Sequence, residues 1–299
     1  MNGPYSLGLT RRALITSLAA TGLAGSLVAP AGAANLRVAA IDWAMLETAL
    51  ALGVTPVAAT ELKLFRRAAI EPAVPAEVAD LGLRGEINAE MLLYARPELI
   101  LSSPWYEKYR AQLERVAPVE SFSIYEPGRS PYAAAEAASR ALGARLSRAA
   151  EAEALVARAD AALGERRARL APFADRPFLM TNFGDIRHFR AFGADSLFAD
   201  VLARLGLRSA WAGGSAYGAV ASVGLEALAA MPEAWIVIVG PTPPDVLRSL
   251  NGSAFWRAMP QVAGGRVIDL GPVNPFGALP AALRFARLLD EALAGRDHA

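Results

Sequence analysis

The sequence predicts an α/β protein of two similar lobes joined by one long helix, and three observations carry that expectation. First, a helix-to-strand unit occurs twice, over residues 80–101 and 223–239, about 136 residues apart. In each copy a glutamate, Glu90 or Glu226, stands early in a short helix. A Pro-Glu pair follows, Pro97-Glu98 or Pro232-Glu233, and then an apolar run, Leu99-Ile100-Leu101 or Trp235-Ile236-Val237-Ile238-Val239. Any two α/β units share this much, so the repeat points to two lobes without fixing them. Second, the chain from Pro131 to about Leu170 is rich in alanine, arginine and glutamate and is stopped by Pro172. The piece from Ser147 to Leu170, about 24 residues, spans roughly 36 Å as a helix, a length suited to running between two lobes. Third, 299 residues with 54% hydrophobic and 20% charged content are enough for a large core or two lobes.

Composition removes several function classes. The formal net charge of +1 gives no electrostatic case for nucleic acid. Cysteine is absent and the only histidines are His188 and His298. That excludes a thiolate zinc or iron–sulfur site, a thiol nucleophile and a multi-histidine site for a bare transition metal. A metal handled by this chain is expected to arrive inside its own chelator, and no resident cofactor is expected.

The first 33 residues read as a targeting segment. Arg11-Arg12 precede an apolar run from Leu14 to Val28, and Ala31-Gly32-Ala33 forms a small-residue cleavage site. This resembles a twin-arginine export signal cut after Ala33. An ordinary secretory signal and an uncleaved anchor are the alternatives, and the run's serines, threonine and glycines make a poor spanning helix.

In chain order, Arg37 to Ile41 reads as a buried strand, followed by Asp42-Trp43 and a helix from Met45 to Leu52 that ends at Gly53. Val57 to Ala59 is a second strand. Residues 62–75, with two prolines and no clear period, read as loop. Arg84 stands in a turn between Gly82 and Gly85, and Asn88 opens the helix of Glu90. Trp105 and Tyr106 lie just past the strand ending at Leu101, where open α/β sheets bind ligands. They are equally well placed to cap the core. Val119 to Ile124 is expected as a strand with Tyr125 after it. In the second half Pro177 to Thr181 is a strand, and Asp195 or Ser196 caps a helix ending at Gly206. Trp211 and Tyr217 flank a glycine-rich loop. Val267 to Leu270 is the last strand, Gly271 to Gly277 is a loop holding Asn274 and Phe276, and Leu283 to Leu293 is the closing helix. His188 is read as a surface or packing residue, since no G-x-S-x-G elbow exists to partner it. Neither a phosphate loop nor a G-x-G-x-x-G turn occurs. Residue chemistry alone reaches an exported, two-lobed α/β binding protein.

A resemblance adds to this. The pieces Ala51-Leu52-Gly53-Val54-Thr55-Pro56, the D-L-G-L-R run ending at Arg84, Asn88-Ala89-Glu90, Arg187-His188 with Phe192-Gly193, Ser196-Leu197-Phe198, Ala210-Trp211 and residues 255–260 occur in an order and spacing that resemble one family. It is that of the periplasmic iron–hydroxamate siderophore-binding proteins of ferrichrome-binding type, the rigid-helix class of ABC-importer binding proteins. The likeness runs from about Ile41 to the C-terminus. It implies two Rossmann-like lobes over residues 34–141 and 173–299, a connecting helix over 142–172 and a ligand cleft between the lobes. It also implies a monomeric periplasmic carrier that is not an enzyme and delivers a ferric siderophore to the permease subunits of an ABC importer for iron uptake.

The family's arginine and tyrosine that contact the iron-coordinating oxygens fall on Arg84 and Tyr106. Trp43, Tyr217, Asn274 and Phe276 are expected to complete the ligand site, and Glu90 and Glu226 to dock on the permease. Three family tryptophans are replaced, by Ala68, Tyr217 and Asn274, which weakens the case for ferrichrome itself. A haem or corrinoid carrier of the same fold is one alternative. A periplasmic enzyme acting on iron chelates is another.

Overall fold

The computed structural model describes residues 36–213 and 223–296. The proposed export signal and Tyr217 lie outside the described residues. The first lobe begins with β1 (Val38–Ala40), whose all-apolar V-A-A run is buried throughout. The α1 helix (Trp43–Ala51) starts where the Asp42 carboxylate accepts hydrogen bonds from the Ala44 and Met45 amides, and the chain turns at Gly53 with φ of +76°. β2 (Ala58–Ala59) follows. Residues 62–75 are not all loop: α2 (Leu62–Ala68) buries Leu62, Phe65 and Ala68 on one face. The stripe is only two turns long and both prolines lie beyond it, so the period is too brief to stand out in the sequence.

β3 (Ala79–Asp80) leads into a hairpin of β4 (Gly82–Leu83) and β5 (Glu86–Ile87), with Arg84 and Gly85 at its tip. The α3 helix (Ala89–Ala95) is capped by Asn88, whose side chain accepts from the Met91 amide at 3.0 Å. Then come β6 (Leu99–Ser102), a 3₁₀ turn over Pro104–Tyr109, α4 (Arg110–Leu113) and β7 (Val119–Ser121). β7 stops three residues before the expected end at Ile124. The strands pair in the order β3-β2-β1-β6-β7, all parallel. The chain winds outward from β1 on one side and from β6 on the other, so a crevice opens past the carboxyl ends of these two strands.

The long helical stretch folds as α5 (Pro131–Arg145) and α6 (Ala149–Leu170), broken at residues 146–148, where Ser147 adopts a φ of +56°. Gly143 permits the close reversal, because a Cβ there would stand 2.5 Å from the Ala152 Cβ and 2.9 Å from the Arg148 carbonyl oxygen. α5 begins beside the second lobe, where Asp200 accepts from the Ser130 hydroxyl and, at 2.9 Å, from the Tyr132 amide. It ends beside the first lobe, where Arg145 pairs with Glu120 at 2.5 Å. The 22-residue α6 and α5 run alongside each other, so the segment 142–172, expected as one connecting helix, is divided between the end of α5 and α6.

The second lobe opens with β8 (Pro177–Phe183) and β9 (His188–Ala191), an antiparallel pair not foreseen beyond Thr181. The α7 helix (Leu197–Arg204) is capped by Ser196. β10 (Arg208–Ser209), β11 (Val223–Gly224) and a 3₁₀ helix over Leu225–Ala230 precede the wholly buried β12 (Trp235–Gly240). Three short helices follow, α8 (Pro244–Gly252), α9 (Ala254–Ala258) and α10 (Pro260–Ala263), then β13 (Val267–Pro272) and α11 (Leu279–Leu293). The sheet order is β11-β9-β8-β12-β13, with β10 also on β8. β12 lies parallel to β8 and β13 to β12, as β6 lies parallel to β1 and β7 to β6. The two sequence copies therefore occupy equivalent places in the two sheets. Behind both sheets one continuous core joins Met45 and Leu46, Leu155 and Val156, Phe198, and Phe285 and Leu289.

Candidate functional site

The parallel strands of the first lobe deliver side chains to one edge. Asp42 and Trp43 follow β1, Glu61 follows β2, the Arg84 hairpin follows β3, Ser103 to Tyr106 follow β6, and Phe122 to Tyr125 follow β7. Phe276, past the end of β13, reaches the same place from the second lobe. Asp42, Ser103, Trp105, Phe122, Tyr125 and Phe276 line one pocket.

Arg84 is held from two sides. Its guanidinium sits over the Trp43 ring, 4.1 Å from the centroid, and its Nε donates to Glu61 at 2.5 Å. Trp43 is buried, donates its indole N–H to the Thr60 carbonyl at 3.1 Å and meets Phe65 edge-on at 5.2 Å. Glu61 adopts left-handed backbone with φ of 50°, an unfavourable conformation for a residue with a Cβ, and its amide donates to the Gly82 carbonyl at 2.7 Å. The β3–β4 corner is thereby tied to Glu61. The Arg84 side chain stays 26% exposed, so this charge is fixed in direction yet open to a ligand.

Tyr106 is buried and close to Asp42, Arg84 and Glu61; burial, then the Asp42 charge, pushes its phenol up to about 12. It remains a protonated hydrogen-bonding group across the physiological range. Burial also raises the Asp42 carboxyl, against the opposing pull of Ser103, the Met45 and Ala44 amides and Arg84. The pocket itself has an aromatic wall. Trp105 stacks on Tyr125 with centroids 5.8 Å apart and meets Phe276 edge-on at 5.1 Å. The Tyr125 hydroxyl donates to the Gly277 carbonyl at 2.6 Å, bridging the lobes at the floor of the pocket. A fixed guanidinium and a neutral phenol beside aromatic walls suit a ligand with concentrated oxygen charge and an apolar periphery.

The structure thus brings Arg84, Tyr106 and Trp43 together, and Phe276 lines the neighbouring pocket with Asp42, Trp105 and Tyr125. Trp43 is the platform beneath Arg84 and not an open wall of the pocket. Asn274 is corrected more strongly. It is buried, its Nδ2 donates to Glu47 at 3.1 Å and its Oδ1 accepts from the Phe276 amide at 3.1 Å. Both ends of its amide are used inside the protein, so it supports Phe276 without facing the cleft. Ala68 is likewise buried in the core.

Glu90 and Glu226 are exposed, one on each lobe, in the first turns of α3 and of the 3₁₀ helix at Leu225. His188 is exposed, with Nδ1 3.2 Å from the Asp185 carboxylate. Glu61, Ser103 and Tyr125 were not singled out from the sequence, although each stands one to four residues past a parallel strand, which is the usable signal. Among the described residues no group of three His, Cys, Asp or Glu side chains is placed to hold a metal ion.

Comparison with known proteins fits this architecture. A family model described as periplasmic binding protein matches residues 38–273. The iron(3+)-hydroxamate-binding protein FhuD of Escherichia coli (strain K12) is 30% identical over 290 residues, 96% of this chain and 98% of that one. The siderophore-binding protein FhuD from Vibrio cholerae, solved bound to Fe3+-Desferal, superposes with a TM-score of 0.82 at 26% identity, covering 87% of this chain and 98% of that one. The triscatecholate siderophore-binding protein FeuA from Bacillus subtilis, complexed with ferri-bacillibactin, shares the fold at a TM-score of 0.67 and 18% identity, covering 88% and 93%.

Proposed function

Because the chain belongs to the periplasmic binding protein family, we propose that it captures a ferric hydroxamate siderophore outside the cytoplasm and hands it to the permease of an ABC importer for iron uptake. The observation that carries this reading is the placement of Arg84. Its guanidinium is steered by Trp43 and Glu61 to the edge where Tyr106 waits, at the strand ends of the first lobe. Iron-bound hydroxamate oxygens are the invariant, negative part of such a chelate, and a guanidinium presents fixed donors to them. Trp105, Tyr125 and Phe276 supply an apolar wall for the variable organic part.

In this reading the protein acts as a monomer and catalyses no reaction. Glu90 and Glu226 give one exposed acid per lobe for arginines of the permease. Arg11-Arg12 and Ala31-Gly32-Ala33 send the chain out by the twin-arginine route. The named relatives support the hydroxamate class, since one binds iron(3+)-hydroxamate and another was solved with Fe3+-Desferal.

Native mass spectrometry of the protein purified from the periplasm of iron-starved cells tests the reading. A mass increment equal to a ferric hydroxamate, released unchanged on denaturation, is expected. Haem, a corrinoid or a chemically altered chelate in its place would overturn it.

A further inference from the structure

Glu47 lies on α1 of the first lobe with no exposure to solvent, and its carboxylate accepts hydrogen bonds from the second lobe. Its Oε1 accepts from the Ala278 amide at 2.5 Å and the Ala281 amide at 3.2 Å, and its Oε2 accepts from Asn274 Nδ2 at 3.1 Å. Ala278 is the N-cap residue of α11 and Ala281 lies in its first turn, and Ala278 has no side chain that could cap the helix. Glu47 therefore caps that helix from the other lobe, and a carboxylate is favoured at a helix N-terminus. Gly277 makes the approach possible: a Cβ there would stand 2.5 Å from Glu47 Oε1.

The contact continues to the pocket. Asn274 Oδ1 accepts from the Phe276 amide at 3.1 Å, and the Phe276 ring packs on Trp105 and Tyr125. We propose that Glu47 is a positioning residue of the binding cleft, holding across the lobes the turn that carries Phe276, and that its ionisation sets how firmly the turn is held.

All three groups facing Glu47 donate, which suits a carboxylate. A carboxylic acid carries a proton that needs an acceptor. On Oε2 that proton meets the Asn274 NH2 group. Reversing the Asn274 amide provides an acceptor but turns Oδ1 away from the Phe276 amide. Protonation therefore leaves a buried group unpaired or releases the Phe276 turn.

The titratable groups that act on Glu47 are Asp42, the N-cap residue of the same helix, and Tyr125 from the segment after β7; the cation that follows Ala281 on α11 is Arg284. Asp42 opposes ionisation of Glu47. Arg284 is engaged by the Pro272 carbonyl and Glu71. Burial lifts the Glu47 carboxyl to about 7 against its three hydrogen bonds, which puts the change within reach of ordinary solution conditions.

The test has one arm without ligand and one with it; only the second rests on the proposed function. Protein labelled with 5-fluorotryptophan is followed by fluorine NMR from about pH 5.5 to 8.5, with the Trp105 signal assigned through Trp105→Phe. The Trp105 signal is expected to titrate in the wild type and to lose that titration in Glu47→Gln and in Asn274→Ala. In the second arm, the affinity for ferrioxamine B is expected to fall roughly tenfold from the basic to the acidic end in the wild type and to change little in either variant. A Trp105 signal that is flat in the wild type, or that titrates unchanged in Glu47→Gln, overturns the proposal. Should Glu47→Gln fail to fold, a wild-type profile in Asn274→Ala overturns it as well. If ferrioxamine B binds at no pH, the functional assignment fails, and the fluorine titration still decides the role of Glu47.

Discussion

The Arg84 guanidinium lies over the Trp43 ring at 4.1 Å, and Trp43 is itself fixed by burial and by its hydrogen bond to the Thr60 carbonyl. A cation over an indole face contributes about 0.5–2 kcal/mol, depending on how far water is excluded. In the proposed site Trp43 acts on a ligand through Arg84. Trp43→Leu should lower affinity in the wild-type background and have almost no further effect in Arg84→Ala. Calorimetric titration of the two single variants and the double variant measures this coupling. Additive losses would show that Trp43 touches the ligand itself.

Tyr125 ties the pocket floor across the lobes through its hydrogen bond to the Gly277 carbonyl. Tyr125→Phe keeps the ring in the aromatic cluster and deletes this bond, so it should cost about 0.5–1.5 kcal/mol in stability. Urea unfolding monitored by circular dichroism reads the difference. A fully neutral substitution would mean that the bridge contributes nothing to joining the lobes.

Much of the fold was legible from sequence, and the reasons are local. Leu99-Ile100-Leu101 and Trp235 to Val239 are uninterrupted apolar runs, and runs of that kind fold as the buried central strands β6 and β12. Asn88 and Ser196 announced helix starts because a short polar side chain can accept an amide hydrogen there. α2 escaped because two turns give too few repeats of the helical period, and β9 because a four-residue strand in a charged segment alternates only twice.

At the site, Arg84, Tyr106 and Phe276 could be chosen by residue type and resemblance. The tertiary assignments could not. Asn274 looked like a replaced cleft aromatic, but its partner is Glu47, more than two hundred residues away in the chain. Glu61 offered only its position two residues past β2, since its place beside Arg84 depends on how β2 and β3 pair.

Glu90 and Glu226 are exposed on separate lobes and neither lines the pocket. The double variant Glu90→Ala, Glu226→Ala should bind a ferric hydroxamate normally and fail to support its uptake by cells lacking the wild-type protein. Radiolabelled iron uptake beside in vitro titration separates the two steps. Weak binding by the double variant, or normal uptake, would remove the docking role.

Glu47 makes stability depend on pH in a defined direction. Its carboxyl is raised by burial from 4.5 to about 7, so the folded protein holds a proton that the unfolded chain releases earlier. The stabilisation is complete below about pH 4.5 and is lost as the pH rises through 7, on the order of 3 kcal/mol in all. Glu47→Gln carries no titrating proton and should flatten this part of the profile. Thermal unfolding of both proteins across the interval measures it. An equal pH dependence in the variant would place the titration elsewhere.

In the proposed function Arg84 recognises the charged heart of the ligand. A charge-assisted hydrogen bond in a partly shielded cleft is worth about 1.5–3 kcal/mol, roughly 10- to 150-fold in affinity. Fluorescence titration with ferrioxamine B should therefore show Arg84→Ala losing at least tenfold, more than Trp105→Ala, Tyr106→Phe or Phe276→Ala, with Arg84→Lys recovering only part because an ammonium lacks the planar fork. Near-wild-type affinity in Arg84→Ala would show that Arg84 does not contact the ligand.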